Sequence, residues 1–134
     1  MEKITKNFSM EEFVRSETAG RMGISNEPDS RARLAIINLC TKLLQPLRDA
    51  YGKPMEINSG YRCPALNEAV NGAKGSQHMK GEAADVRCDR PAELVRCLMD
   101  EGLDFDQCIR YSTFVHLSYK LEGENRRQFL KGKY

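Results

Sequence analysis

Apolar residues recur at intervals of three and four positions over a long stretch between Ser30 and Tyr51. Because this is the spacing of one helix face, the pattern predicts a single long helix over that stretch. Pro46 lies inside it and is expected to kink the helix, since proline lacks a backbone N–H and its ring clashes with the preceding turn. The apolar face is assigned to Leu34, Ile37, Cys40, Leu44, Leu47 and Tyr51.

Shorter helices are indicated by their end signals. Ser9 and Glu12 form an S-x-x-E capping box, which predicts a helix beginning there. Asp29 is expected to cap the long helix. Pro91 predicts the start of a later helix and Gly102 its end. Helices are predicted over 9–16, 65–70 and 92–101, and residues 21–28 are predicted as loop.

Four short segments have the composition of strands, and no strand is predicted in the tail. Strands are predicted over 55–59, 83–87, 107–111 and 113–119. The tail, residues 123–134, is polar and basic, and no element is predicted in it. Helices surrounding a small sheet define an α+β fold, here a single domain over residues 1–134.

Composition restricts the classes of function. The chain has 134 residues, the size of one domain. Lys and Arg number 21 against 19 Asp and Glu, a net charge of +2 that is too small to indicate a nucleic acid or an anionic membrane. No apolar run approaches the ~20 residues that span a membrane. We therefore expect neither a nucleic-acid nor a membrane partner.

The cysteines and the first residues bear on the cellular compartment. The five cysteines are odd in number and form no C-x-x-C pair, which argues against a disulfide framework or an all-cysteine zinc site. We expect reduced thiols, several of them buried. Residues 1–7 lack the apolar segment of a secretory signal.

The two histidines lie in distinctive surroundings. His78 is seven residues before Asp85, with Gly81 between them, and glycine permits the tight reversal that would bring an imidazole beside a carboxylate. His116 lies in an apolar strand-like run. Three such ligands leave one tetrahedral position open, which is typical of a catalytic zinc site. The alternative is a packed or solvated histidine and a capping aspartate.

Three blocks of sequence resemble the M15 peptidases, the zinc D-Ala-D-Ala carboxypeptidase and endolysin family. Residues 76–85 follow that family's pattern S-x-H-x-x-G-x-A-x-D, residues 57–67 resemble its S-G-Y-R block, and residues 115–118 resemble its last zinc-ligand strand. The resemblance covers residues 8–134. It implies a small antiparallel sheet with flanking helices and a zinc site on the sheet, as in short single-domain members.

The resemblance also implies roles for individual residues. One zinc ion would be held by His78, Asp85 and His116. The substrate class would be peptidoglycan stem peptides, cut at a D-amino-acid bond. Arg62 would face the substrate carboxylate or the developing oxyanion, which suits a guanidinium that can form two parallel hydrogen bonds; the alternative is a solvent-facing turn residue. Ser76 and Gln77 would contact substrate or orient His78.

A general base is missing from its expected place. The family supplies an acid a few residues before the last zinc histidine, whereas residues 110–115 contain none. Asp106 is the first candidate for the base, and Asp104 and Glu82 are the alternatives. Two functions therefore remain open. One is an active zinc peptidase, and the other is a zinc-containing module that binds cell-wall peptides without cutting them, for which the Hedgehog signalling domain, similar in fold, is a precedent.

Location and assembly are expectations as well. With reduced cysteines and no export signal in this chain, we expect synthesis in the bacterial cytoplasm and action at the cell wall, as for a phage or prophage lysis enzyme. We expect a monomer.

Overall fold

The computed structural model describes residues 2–133. Its elements, in chain order, are α1 (Met10–Val14), α2 (Glu17–Met22), α3 (Ser30–Leu39), a π-helical turn (Cys40–Leu44), α4 (Gln45–Tyr51), β1 (Glu56–Ser59), α5 (Pro64–Ala69), a 3₁₀ turn (Gln77–Lys80), β2 (Ala83–Arg87), α6 (Pro91–Asp100), β3 (Gln107–Arg110), β4 (Phe114–Ser118) and β5 (Gln128–Lys131). The α+β prediction is confirmed.

The long helix is confirmed, and the disruption expected at Pro46 takes the form of a π-helical turn. Pro46 cannot donate the bond that an α-helix would direct to the carbonyl of Lys42. The helix widens just before it, and the backbone N–H of Gln45 donates to the carbonyl of Cys40, five residues back. The side chain of Asp29 accepts from Ala32 N at the start of α3, as predicted.

The predicted apolar face of this helix is wrong at two positions. Leu34 is 58% exposed and Ile37 is 38% exposed, while Ala32, Ile36 and Leu39 are buried. Apolar residues occupy more than one face of α3, and the spacing alone does not show which face packs. The face that packs includes Ala32, where α3 lies close to the 3₁₀ turn that precedes β2.

The sheet has the order β1-β2-β4-β3-β5. The three pairings among β1, β2, β4 and β3 are antiparallel, as expected. The expectation fails at β5, which pairs with β3 in parallel within the tail, where no element was predicted. All four residues of β5 are exposed, so the strand leaves no alternation of apolar and polar positions in the sequence.

One core joins the helices to the sheet. It includes Leu43 and Leu47 of the long helix, Val86 of β2, Leu98 of α6 and Leu117 of β4. All five cysteines are free, as expected, and two of them, Cys40 and Cys108, are buried. α2 was not predicted, and it occupies part of the segment expected to be loop. Among the described residues, none of the helices combines the length and apolar character needed to cross a membrane.

Candidate metal centre

The 3₁₀ turn before β2 carries His78 into the protein interior. The side chain of Ser76 accepts from the backbone N–H of His78 at 3.2 Å and so caps the turn. Gly81 ends it with φ of 75°, and a Cβ there would lie 2.5 Å from the carbonyl oxygen of Ala32. Only glycine fits this left-handed, closely packed position. The turn therefore presses against α3 and holds its histidine at the sheet.

His78 is 3% exposed, and its ring orientation is fixed by the main chain. Its Nδ1 lies 2.7 Å from the carbonyl oxygen of Gly60. Because a carbonyl only accepts, Nδ1 donates to it and carries a proton, and Nε2 is the nitrogen turned toward Asp85. Nε2 lies 3.4 Å from Oδ1 of Asp85. A bulge between Ile57 and Ser59 shifts β1 just ahead of Gly60.

Asp85 and His116 are brought together by strand register. They are directly paired residues of the antiparallel strands β2 and β4, so their side chains leave the same face of the sheet. Nδ1 of His116 lies 2.9 Å from Oδ1 of Asp85. The structure brings these two residues and His78 together, and one ligand atom from each lies within 4.8 Å of the others.

The donor set fits a metal ion. Burial acts to raise the pKa of Asp85, but the hydrogen bonds and charges of His116 and His78 outweigh it and hold that pKa well below its usual range. Asp85 is thus an anion. Two imidazole nitrogens and one carboxylate oxygen make a three-ligand site with room for a fourth ligand, which suits a divalent ion such as zinc.

A cavity of about 450 Å³ opens over these three residues. It is lined by Arg62, Ser76, Gln77, His78, Asp85, Tyr111, Phe114, His116 and Arg126, together with residues 73, 75, 107 and 109. Within residues 2–133, Asp85 is the only acid on this lining, while two arginines contribute positive charge. The cavity therefore favours an anionic ligand beside the metal position.

Arg62 lies at this cavity rather than in open solvent. Its backbone N–H donates to the carbonyl of His78 at 3.0 Å, and its Nη2 donates to Oγ of Ser76 at 3.3 Å. Its Nε is buried without a hydrogen-bond partner. Burial lowers the pKa of Arg62, and the charge of Asp85 opposes that shift. A buried donor left unpaired is available to a ligand.

Gln77 contacts His116 rather than His78. Its Oε1 lies 3.2 Å from Nε2 of His116, and its Nε2 donates to Oδ2 of Asp106 at 2.7 Å. The sequence predicted that Gln77 orients His78 or contacts substrate, and this stays a prediction. The histidine that the Gln77 side chain contacts in the structure is His116.

Asp106, the first candidate for the general base, lies behind Gln77. It is 0% exposed and is not among the residues that line the cavity. Nε and Nη2 of Arg126 donate to its two oxygens at 3.1 and 2.9 Å. Burial acts to raise the pKa of Asp106, but the bonds from Arg126 outweigh it and lower it. Its role as base stays a prediction.

The carboxylates of the two alternative bases form hydrogen bonds away from the cavity. Asp104 accepts from Arg127 at 2.7 Å and from Asn125 at 2.9 Å. Glu82 accepts from the backbone N–H of Leu121 at 3.3 Å. Neither carboxylate lines the cavity.

Sequence reasoning missed two groups at this site. Arg126 lies in the tail, where the only signal was a basic composition. The carbonyl of Gly60 is a main-chain group, and its role follows from the bulge in β1.

A His-Asp-His group that faces an open cavity on the sheet of an α+β fold has the arrangement of a catalytic metal site. The family model described as Peptidase M15 matches residues 6–118. The chain belongs to the M15 peptidase family, as the sequence blocks predicted.

One curated relative matches part of the chain. The zinc D-Ala-D-Ala carboxypeptidase of Streptomyces albus G is 36% identical over 81 residues, which are 60% of this chain. The chain spans 31% of the length of that relative.

Proposed function

We propose that this chain is a zinc-dependent peptidase that hydrolyses peptidoglycan stem peptides at a D-amino-acid bond. The observation that carries the proposal is the convergence of His78, Asp85 and His116, whose ligand atoms lie within 4.8 Å of one another beneath an open cavity. The zinc D-Ala-D-Ala carboxypeptidase relative supports both the metal and the substrate class.

One zinc ion is the cofactor that we propose. Nε2 of His78, Oδ1 of Asp85 and Nδ1 of His116 would hold it, since these are the atoms that approach one another. When bound, zinc supplies Lewis acidity, which polarises a scissile carbonyl and activates water. The carboxylate of Asp85 balances part of the added charge.

Arg62 is proposed to bind the substrate carboxylate. Its side chain lines the cavity, and its buried Nε has no partner within the described structure. A guanidinium pairs with a carboxylate through two parallel bonds, so an incoming peptide terminus would satisfy the free donor. Ser76 bonds to Nη2 of Arg62 and is proposed to hold the guanidinium toward the substrate. Gln77 lines the same cavity and is proposed as a further substrate contact.

A second function is favoured by one observation. Hydrolysis requires a base that takes a proton from water and returns it to the leaving amine, and Asp85 is the only acid among the described cavity-lining residues. The second candidate is thus a zinc-containing module that binds cell-wall peptides without cutting them. Asp106 is retained as the first base to test, because it lies behind Gln77, one hydrogen bond from it.

The deciding experiment measures zinc content and turnover on one preparation. The purified chain is incubated with a peptide ending in D-Ala-D-Ala and with its L-Ala-L-Ala counterpart, and products are followed by mass spectrometry. About one zinc per chain and cleavage of the D-peptide alone are expected. Binding of the D-peptide by calorimetry without cleavage would establish the binding module instead. No zinc in the wild type, even after zinc is added, would refute both functions.

A further inference from the structure

A chain of hydrogen bonds leads from His116 away from the cavity and into the tail. Nε2 of His116 faces Oε1 of Gln77 at 3.2 Å, and Nε2 of Gln77 donates to Oδ2 of Asp106 at 2.7 Å. Arg126 donates to the same carboxylate through Nη2 at 2.9 Å, through Nε at 3.1 Å and through its backbone N–H at 2.9 Å. The order of groups is imidazole, amide, carboxylate, guanidinium.

This order fixes the direction of every bond. The carboxylate of Asp106, ionised beside a guanidinium, only accepts hydrogen bonds. Gln77 must therefore turn its NH₂ group toward Asp106 and its carbonyl oxygen toward His116. That oxygen also only accepts, so Nε2 of His116 donates to it and carries a proton. Nδ1 is then the ring nitrogen that faces Asp85, at 2.9 Å, and it is placed to bind a metal there once it carries no proton.

The two histidine rings are oriented by different means. The ring of His78 donates to a main-chain carbonyl, that of Gly60, whose direction is set by the backbone. The ring of His116 donates to a side-chain amide, which can rotate or turn over. Such an amide needs a second group to hold it, and the buried carboxylate of Asp106 is placed to do so.

We propose that Asp106, clamped by Arg126, is a positioning residue that acts through Gln77 to fix the ring of His116 with Nδ1 toward the metal. The proposal rests on the metal site proposed above. It gives Asp106 a role other than that of the general base. Groups that support metal-ligating histidines in this way typically change metal affinity or activity by about 10–100-fold when they are removed.

The clamp comes from a part of the chain outside the family match. The model of the family ends at residue 118, and Arg126 lies beyond it. The backbone of Asp106 is held on both sides, since its N–H donates to Ser118 O at 2.8 Å and its carbonyl accepts from Gln128 N at 2.9 Å. The tail that ends in β5 thus supports the metal site.

An exchange of amide and carboxylate tests the proposal. Asp106→Asn offers one acceptor and one donor, so it cannot accept from both Gln77 and Arg126. Its apparent zinc Kd, measured by competition with a chelator, should rise about 10–100-fold. The double variant Gln77→Glu/Asp106→Asn keeps the total charge and restores the order, because the carboxylate then faces His116 and the amide oxygen faces Arg126. It should return the Kd to the wild-type range or below.

Asp104→Asn is the matched control. It makes the same change two residues earlier, on a carboxylate that bonds to Arg127 and Asn125 and has no bond to Gln77. Its zinc Kd should equal that of the wild type. An equal rise in Asp104→Asn and Asp106→Asn, or no recovery in the double variant, would overturn the proposal.

A second measurement needs no variant. The ¹⁵N shifts of the His116 ring in the zinc-loaded wild type should show zinc on Nδ1 and a proton on Nε2. Zinc on Nε2 would refute the positioning role even if Asp106→Asn failed to fold. If Asp106→Asn binds zinc as tightly as the wild type and loses turnover, Asp106 is the base. A wild type that binds no zinc would refute the proposed function and this proposal with it, whereas a wild type that binds zinc, with an unchanged zinc Kd and unchanged turnover in Asp106→Asn, would refute this proposal alone.

Discussion

At the scale of single residues, the site depends on oxygens that accept hydrogen bonds from the rings of two histidines, the buried His78 and the partly buried His116. His78 donates to the carbonyl of Gly60, and His116 faces the amide oxygen of Gln77. Each ring thereby presents its other nitrogen to the carboxylate of Asp85. The metal position is therefore prepared by the folded chain before a metal binds.

Loss of either histidine should remove most of the zinc. His78→Ala and His116→Ala leave two ligands, which rarely retain the ion against dialysis. Metal analysis of the dialysed proteins checks this, with about one zinc per chain expected for the wild type. Asp89→Asn, at an exposed position just after β2, is the control and should keep its zinc. Full zinc content in either histidine variant would refute the ligand assignment.

Arg62→Lys should impair substrate handling without changing zinc content. Lysine keeps the charge but loses the planar fork that pairs with a carboxylate. A charge-assisted bond is worth about 1.5–3 kcal/mol, so kcat/KM should fall about 10- to 100-fold. Arg87→Lys, at an exposed residue that does not line the site cavity, is the matched control. Unchanged peptide kinetics in Arg62→Lys would show that the arginine has only a structural role.

At the scale of elements, the turn that carries His78 depends on its contact with α3. Gly81→Ala should lower the free energy of unfolding for two reasons, a left-handed backbone and a Cβ 2.5 Å from the carbonyl oxygen of Ala32. Only the first reason applies to Gly102→Ala, since φ there is 64° and an added Cβ would have no atom within 4 Å. Denaturant unfolding should show a loss of about 1 kcal/mol for Gly102→Ala and a clearly larger loss, on the order of 3 kcal/mol, for Gly81→Ala. Equal losses would mean that the contact with α3 does not matter.

The elements that the sequence predicts best are those with local signals. Strand β2 lies at its predicted bounds, 83–87, because apolar residues and turn signals define it. The capping box at Ser9 is present, with its backbone N–H bonded to Glu12 at 2.9 Å. α2 and β5 were missed because one is a short helix in a polar segment and the other is an exposed edge strand. Neither buries a periodic face of its own.

The site could be predicted only in part for the same reason. Motif spacing indicated His78, Asp85 and His116, and strand pairing shows why it worked, since Asp85 and His116 are direct partners. The support of His116 could not be inferred, because Asp106 and Arg126 meet through the parallel pairing of the tail with β3. That pairing is a tertiary event with no local signal.

At the scale of the whole molecule, the sheet connects the metal site to both ends of the fold. β2 and β4 at its centre carry two of the candidate ligands, α3 supports the turn that carries the third, and the tail closes over Asp106 beside β3. Folding of the tail is thus coupled to the site through the ion pair between the buried Asp106 and the half-exposed Arg126.

That coupling should appear in the pH dependence of stability. Burial alone would raise the pKa of Asp106, but the bonds from Arg126, with a contribution from Lys120, lower it in the folded protein. A carboxyl group whose folded pKa is below its unfolded pKa, near 3.9, stabilises the fold above that pH, and this contribution is lost as pH falls through the folded value. The unfolding free energy of the metal-free wild type should therefore decline more steeply below about pH 4 than that of Asp106→Asn. Parallel curves would mean that the ion pair with Arg126 contributes nothing to folding.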